Sequence, residues 1–219
     1  MTRISCLTIS FAIAITSLVG NVAAQQSSAK AQAVADRAIA DLAAWKNQSA
    51  RKYLQSQKGQ FGSTPEFQTA WALLEIQEGS GGKKSLVDSG TTSLSKMSKN
   101  KAVDAMAAYH YGEILYDQDK RNEANAAWQA AAKSAGAVVR KDPTDATAQF
   151  YLGAALVRTK RFEDARKALR IAVRGGFDEA MVNHQIGLSY LFAESWSEAK
   201  DAFDLGLSVN PRYAPMYFW

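Results

Sequence analysis

Apolar and small positions recur with a fixed spacing through the C-terminal half of the chain. Laid over each other, Ala146–Glu179 and Ala180–Tyr213 agree at a period of 34 residues. Leu152-Gly153 falls on Ile186-Gly187, Phe162 on Trp196, Ala165 on Ala199, Ala168 on Ala202 and Leu169 on Phe203. Small residues match small and large apolar residues match large, as repeated packing contacts require. A period of this length with this pattern predicts stacked helical pairs, each burying its apolar face against its neighbours.

The pattern extends upstream. Tyr111-Gly112, Ala124, Ala127, Trp128 and Ala131 match Leu152-Gly153, Ala165, Ala168, Leu169 and Ala172 at an offset of 41. The seven extra residues lie between Ala131 and Pro143. Seven residues are about two helical turns, so the second helix lengthens and its buried face keeps its direction. In each unit the glycine (Gly112, Gly153, Gly187) and the small residue opposite (Ala124, Ala165, Ala199) let two helices approach, and Trp128, Leu169 and Phe203 fill the space one turn on. Each such large side chain contributes about 1.5–3 kcal/mol when fully buried.

The N-terminal half is less regular. Residues 29–57 read as one alanine-rich helix, with Val34, Ala38, Leu42, Trp45 and Tyr53 on its apolar side and Asp36, Arg37, Asp41, Lys46, Arg51 and Lys52 on its polar side. Gly59 to Thr64 interrupts it, and Thr64-Pro65-Glu66 opens another helix, with Pro in the first turn. Gly79-Ser80-Gly81-Gly82 stops that helix. Leu86 to Met97, rich in Ser, Thr and Lys, reads as a weak helix or a partly mobile connection. Residues 65–99 thus have the outline of a worn helical pair.

These residues resemble the tetratricopeptide repeat (TPR) family over roughly 102–213. The resemblance rests on Leu152, Gly153, Leu156, Phe162, Ala165, Leu169 and Ala172 in one copy, and on Ile186, Gly187, Tyr190, Trp196, Ala199, Phe203 and Pro211 in the next. Gln149 and Asn183 stand where the family prefers a large aromatic, Phe177 where it prefers Pro, and Gly206 where it prefers Ala. The resemblance implies an all-α, right-handed superhelical solenoid of antiparallel helix pairs. It divides the chain into N-terminal helices over 25–101, repeats over 102–145, 146–179 and 180–213, and a last segment, 214–219, that starts a further copy or forms a tail.

Residues 1–24 add a compartment. A short basic start, an apolar run from Ile4 to Gly20 and the small residues Val22-Ala23-Ala24 read as a cleaved secretory signal, the alternative being an uncleaved anchor. The expectation is export, to the periplasm in a Gram-negative source, with membrane contact only through that segment. Cys6 is the single cysteine and lies within it, so stability must come from packing rather than disulfides. Arg3 is the only charged residue of 1–24, so its loss lowers the net charge from +5 to +4. That excess lacks the dense basic face with interleaved aromatics of a nucleic-acid binder.

Little in the sequence supports catalysis. Only His110 and His184 are present, too few for a zinc site without cysteine. The Gly79–Ser85 stretch lacks the spacing of a phosphate loop, and Ser93-Leu94-Ser95-Lys96 lacks companion motifs. Asp117-Gln118-Asp119 is not followed by the other ligands of a calcium loop. No cofactor, metal or enzymatic activity is expected.

The family geometry implies that the first helix of each pair lines a concave surface. The residues placed there are Tyr109, Glu113, Tyr116, Phe150, Ala154, Val157, Arg158, His184, Leu188 and Leu191. This row is mostly aromatic or aliphatic and lacks the Lys, Arg and Asn of the family's best-known peptide clamp. Either it takes an apolar segment of a protein or peptide partner, such as an amphipathic helix, or the chain's own N-terminal helix or a second copy fills it. The expected function is that of an exported adaptor in envelope assembly or secretion. The alternative is a structural module that self-associates through its C-terminal end, where Tyr217, Phe218 and Trp219 follow Pro215.

Overall fold

The computed structural model describes residues 26–99 and 104–213. The expected signal segment, residues 100–103 at the start of the first repeat and the tail 214–219 lie outside the described residues. The described residues form helices without strands: α1 (26–43), α2 (Asn47–Phe61), α3 (Pro65–Gly79), α4 (Lys84–Ser98), α5 (Ala105–Asp117), α6 (Arg121–Val139), α7 (Ala146–Arg158), α8 (Phe162–Arg174), α9 (Glu179–Leu191) and α10 (Trp196–Val209).

Helices α3 and α4, α5 and α6, α7 and α8, and α9 and α10 pack as consecutive pairs. The first helices of successive pairs also meet, α3 on α5, α5 on α7 and α7 on α9. This is an all-α solenoid of helix pairs. The predicted close approaches are present. A Cβ added at Gly112 would lie 2.5 Å from Trp128 Cδ1, one at Gly153 would lie 2.6 Å from Leu169 Cγ, and one at Gly187 would strike the Phe203 ring. The side chain one turn beyond each small residue therefore occupies the space its glycine leaves open.

The turn inside each of these three pairs is built alike. Asp119, Lys160 and Glu194 have φ of 60°, 62° and 61°. The next amide closes the turn in each case: Lys120 N–H donates to Leu115 O, Arg161 to Leu156 O and Ser195 to Tyr190 O. This is a left-handed helix cap carried by residues other than glycine, at a cost of about 1–2 kcal/mol in the chain's local preference.

The same turn corrects the reading of residues 29–57 as one helix. Trp45 has φ 56°, and Lys46 N–H donates to Asp41 O, so the segment splits into α1 and α2. Trp45 is accordingly 61% exposed rather than on the apolar side. Residues 86–97 belong to a full helix, α4. Gly90 lies against the Ala72 carbonyl and Ile76 of α3, and Leu94 is buried. In this pair the close-contact glycine sits on the second helix, so a search for it on the first finds Ala72 instead. Thr64 caps α3 as its sequence predicts, accepting from Phe67 N–H at 3.3 Å.

Helix α6 is the longest of the second helices, 19 residues against 13 in α8 and 14 in α10, in line with the two-turn insertion. Two of the departures from the family pattern have partners. Gln149 is buried and donates to Pro143 O at 2.8 Å, and the Phe177 ring stacks on Phe150 at 4.1 Å.

Candidate functional site

Three aspartates start the first helices of the pairs. Asp104, Asp145 and Asp178 accept from Ala107, Ala148 and Met181 N–H at 2.7, 2.8 and 2.8 Å, each satisfying an orphan amide of the first turn. The caps fix where α5, α7 and α9 begin and gather their N-terminal ends on one side of the array. An Asp immediately before an apolar-periodic segment is a legible helix-start signal, so these residues were within reach of the sequence.

The row of expected groove residues is not an open surface. Tyr109, Phe150, Ala154, Val157, His184 and Leu188 are buried. Glu113, Arg158 and Leu191 are part-buried, and only Tyr116 is exposed, at 39%. The structure favours internal filling over an empty channel. The apolar face of α1, made of Ala31, Val34, Ala35, Ala38, Ile39 and Leu42, joins one continuous core with Met106, Tyr109, Phe150, Tyr151, Phe177 and Met181. Asp36 of α1 accepts from Thr147 Oγ1 of α7 at 3.3 Å, across 111 residues of sequence. Ser28 donates to Glu66 of α3 at 3.3 Å, and Gln77 of α3 donates to Leu42 O at 3.1 Å.

The seat of α1 is open along one side. A cleft of about 1070 Å³ remains between its first turns and the array. Ser28, Gln32, Asp36 and Ile39 form one side, and Glu66, Asp104, Asp145, Thr147, Tyr151 and Phe177 are among the residues opposite. Asp36 falls on the polar side of the sequence pattern, yet it is part-buried and faces carboxylates. Desolvation, with Asp145 and Glu66 adding repulsion, pushes its carboxyl up to about 6 against the help of Gln32 and Thr147. Burial likewise raises Asp104.

At the other end of the first helices, Glu113 of α5 and Arg158 of α7 form a bidentate ion pair, with Arg158 Nε donating to Glu113 Oε1 at 2.9 Å. Burial works against the charge on Arg158, and the Glu113 carboxylate more than offsets it. The guanidinium lies 5.4–5.8 Å from the rings of Trp128, Tyr116 and Phe192, so flat apolar faces enclose the pair. Nearby, Gln185 Nε2 donates to Tyr109 Oη at 3.2 Å.

The histidines are packing groups. His110 lies against Tyr109 and Tyr151 with centroids 5.2 and 5.9 Å away, and burial lowers it to about 4. His184 sits between Phe203 and Tyr213, neither of its ring nitrogens has a hydrogen-bond partner, and burial lowers it to about 3. Both are neutral near pH 7. Among the described residues no three His, Cys, Asp or Glu side chains gather to hold a metal ion, and no helix is long and apolar enough to cross a membrane.

Helix pairs with a shared left-handed turn, a glycine facing a large side chain in each pair, and first helices stacked on first helices decide the architecture. The chain has the tetratricopeptide-repeat fold. A thermophilic TPR protein of Thermus thermophilus is similar in structure, with TM-score 0.53 and 16% identity, over 86% of this chain and all of that one. Two further solved structures align less closely. One is YrrB, described as a TPR protein with an unusual peptide-binding site, at TM-score 0.41 and 14% identity over 83% of this chain and 87% of that one. The other is pilF of Pseudomonas aeruginosa, at TM-score 0.38 and 17% identity over 88% and 86%. No protein-family model and no curated protein sequence matches the chain. The TPR fold accounts for the α5–α10 array directly, and the turn at Trp45 extends the same hairpin design to α1 and α2.

Proposed function

We propose that the protein is an exported scaffold that holds a protein or peptide segment against the first-helix face of its TPR array. The observation that carries this reading is the occupancy of that face by α1. An amphipathic helix lies there, joined to the core through its apolar side and anchored by Thr147 and Glu66. A surface that accepts one such helix has the shape and chemistry for another, the mode in which a helix lays its apolar face into a groove. Export rests on residues 1–24, whose composition is that of a signal segment.

A photo-crosslinking residue at Tyr116, the exposed end of the row, tests the reading in the full chain. The expected result is a discrete heterologous product in the envelope fraction, together with a mature chain that begins at Gln25. A cytoplasmic chain retaining Met1 would remove the export element. Absence of any product would remove the scaffold element.

A second reading, self-association through the C-terminal pair, is favoured by one feature. Trp196, Leu205 and Val209 of α10 are 65%, 50% and 48% exposed. A crosslinker at Leu205 that gives a homodimer, with none from Tyr116, would decide for it.

A further inference from the structure

Helix α1 differs from an ordinary core helix in three respects. Its apolar face is half alanine. A cleft of about 1070 Å³ runs beneath its first turns. Its one acidic group on the docking side, Asp36, is repelled by Glu66 and Asp145, and further carboxylates line the same cleft. Glu66 comes from α3, Asp104 from the start of α5, Asp142 from the turn after α6, Asp145 from the start of α7 and Asp178 from the start of α9. Tyr151 of α7 adds a buried hydroxyl, and Lys141 is the one cation among the described residues lining that cleft. The hydrogen bonds to Asp36 come from the neutral groups of Gln32, at 2.8 Å, and Thr147.

We infer that α1 is a proton-controlled latch over the first-helix channel, closed while Asp36 carries a proton and opened by its ionisation. This deepens the scaffold reading and rests on it for the identity of what enters. An ionised Asp36 in the seat has no cationic partner among the described residues, gives up part of its water and is repelled by Glu66 and Asp145, whereas in the released helix it is fully hydrated. The protonated acid still accepts from Thr147 and keeps its place. Alanine at half of the apolar face limits the contacts that must break. The opened channel presents Met106, Tyr151, Phe177 and Met181, an apolar floor that suits an amphipathic helix with larger side chains than those of α1.

The sign follows from linkage. A carboxyl raised from 3.8 to about 6 on docking favours the docked state in acid, and that preference is lost as pH rises from about 4 to about 6. Between about pH 5 and pH 7.5 the ratio of open to closed α1 rises about tenfold. His110 and His184, held near 4 and 3, stay neutral in the folded chain across this window.

Hydrogen exchange of the α1 amides in the full chain tests the inference, with rates corrected for the intrinsic effect of pH. The expected result is a loss of protection of about tenfold in residues 26–43 between about pH 5 and pH 7.5, with α7 and α8 unchanged relative to it. Asp36→Asn keeps the hydrogen bonds without the charge, and α1 should then stay as protected at the higher pH as at the lower. Equal loss in Asp36→Asn, or none in the wild type, would overturn the latch. A pH response in a chain that captures no partner at Tyr116 leaves the latch standing and removes the scaffold reading. Capture without a pH response does the reverse.

Discussion

Replacing Gly187 by alanine puts a helix-favouring residue into the middle of α9, and on propensity alone the change should stabilise by about 1 kcal/mol. The structure predicts the opposite. A Cβ there would meet Cε1, Cδ1 and Cζ of the Phe203 ring, the last at 2.8 Å. Phe203 is buried and sits 6.0 Å from the His184 ring, so it cannot swing away without disturbing a second buried group. Overpacking of this kind costs about 1–3 kcal/mol and outweighs the propensity gain, for a net loss of about 1 kcal/mol or somewhat more. Gly59 in α2 is the matched control, because nothing lies within 4 Å of its Cβ position. Gly59→Ala should keep the propensity gain, about 0.5–1 kcal/mol. For a chain of this size 1 kcal/mol moves Tm by about 2–4 °C, so calorimetry should show Gly187→Ala below and Gly59→Ala above the wild type. The sites share no partners, and the double variant should show the sum. A Gly187→Ala midpoint at or above the wild type would refute the argument that the glycine is there to seat Phe203.

Glu113→Gln should cost about 2–3 kcal/mol in urea unfolding, because it leaves Arg158 charged among Tyr116, Trp128 and Phe192 without a carboxylate. The neutral histidines make the array sensitive to acid. Their pKa values are lower in the folded state than the free value of 6.5, so stability is fully present above 6.5 and is lost as pH falls towards 4 for His110 and 3 for His184. Carboxyls raised in the folded state, Asp36 among them, act in the opposite sense, so the comparison is with His110→Gln. Between about pH 7 and pH 4 the wild type should lose up to about 3 kcal/mol more in urea unfolding than this variant, and parallel profiles would contradict the burial of His110 as a neutral ring. Asp145→Ala should cost about 1 kcal/mol by removing the cap of α7, with Asp145→Asn close to neutral in the same melting assay.

The repeat array was legible because its signal is local and periodic. The pairing of Gly112 with Trp128, Gly153 with Leu169 and Gly187 with Phe203 can be read by sliding one copy over another, and the two-turn lengthening of α6 follows from where the extra residues fall. The break at Trp45 was not legible. A bulky aromatic at positive φ carries none of the glycine or asparagine signal of a left-handed cap, and Trp45 falls in phase with Leu42. Helix α4 reads as weak because Ser and Thr lower its apolar content, while its stability comes from Gly90 and Leu94 packed on α3. The candidate row lies on the expected helices, but α1 reaches that face through Thr147, a contact over 111 residues that no local pattern encodes. For the same reason Asp36 reads as surface. Phe150, an anchor of that row, stacks on Phe177, so Phe150→Asp would bury an unpaired charge and unfold the site rather than report on binding.

The extra length of α6 has an effect beyond its own repeat. Ser134, Ala135 and Val138, in its second half, stand along the cleft beneath α1, where a helix of ordinary length would have ended sooner. Because the insertion is close to two whole turns, it leaves the angular phase of the array untouched while raising a wall beside the channel. Array length and channel depth are thus separate variables in this architecture. Adding a pair lengthens the array, and adding turns to one second helix deepens the cleft beside it.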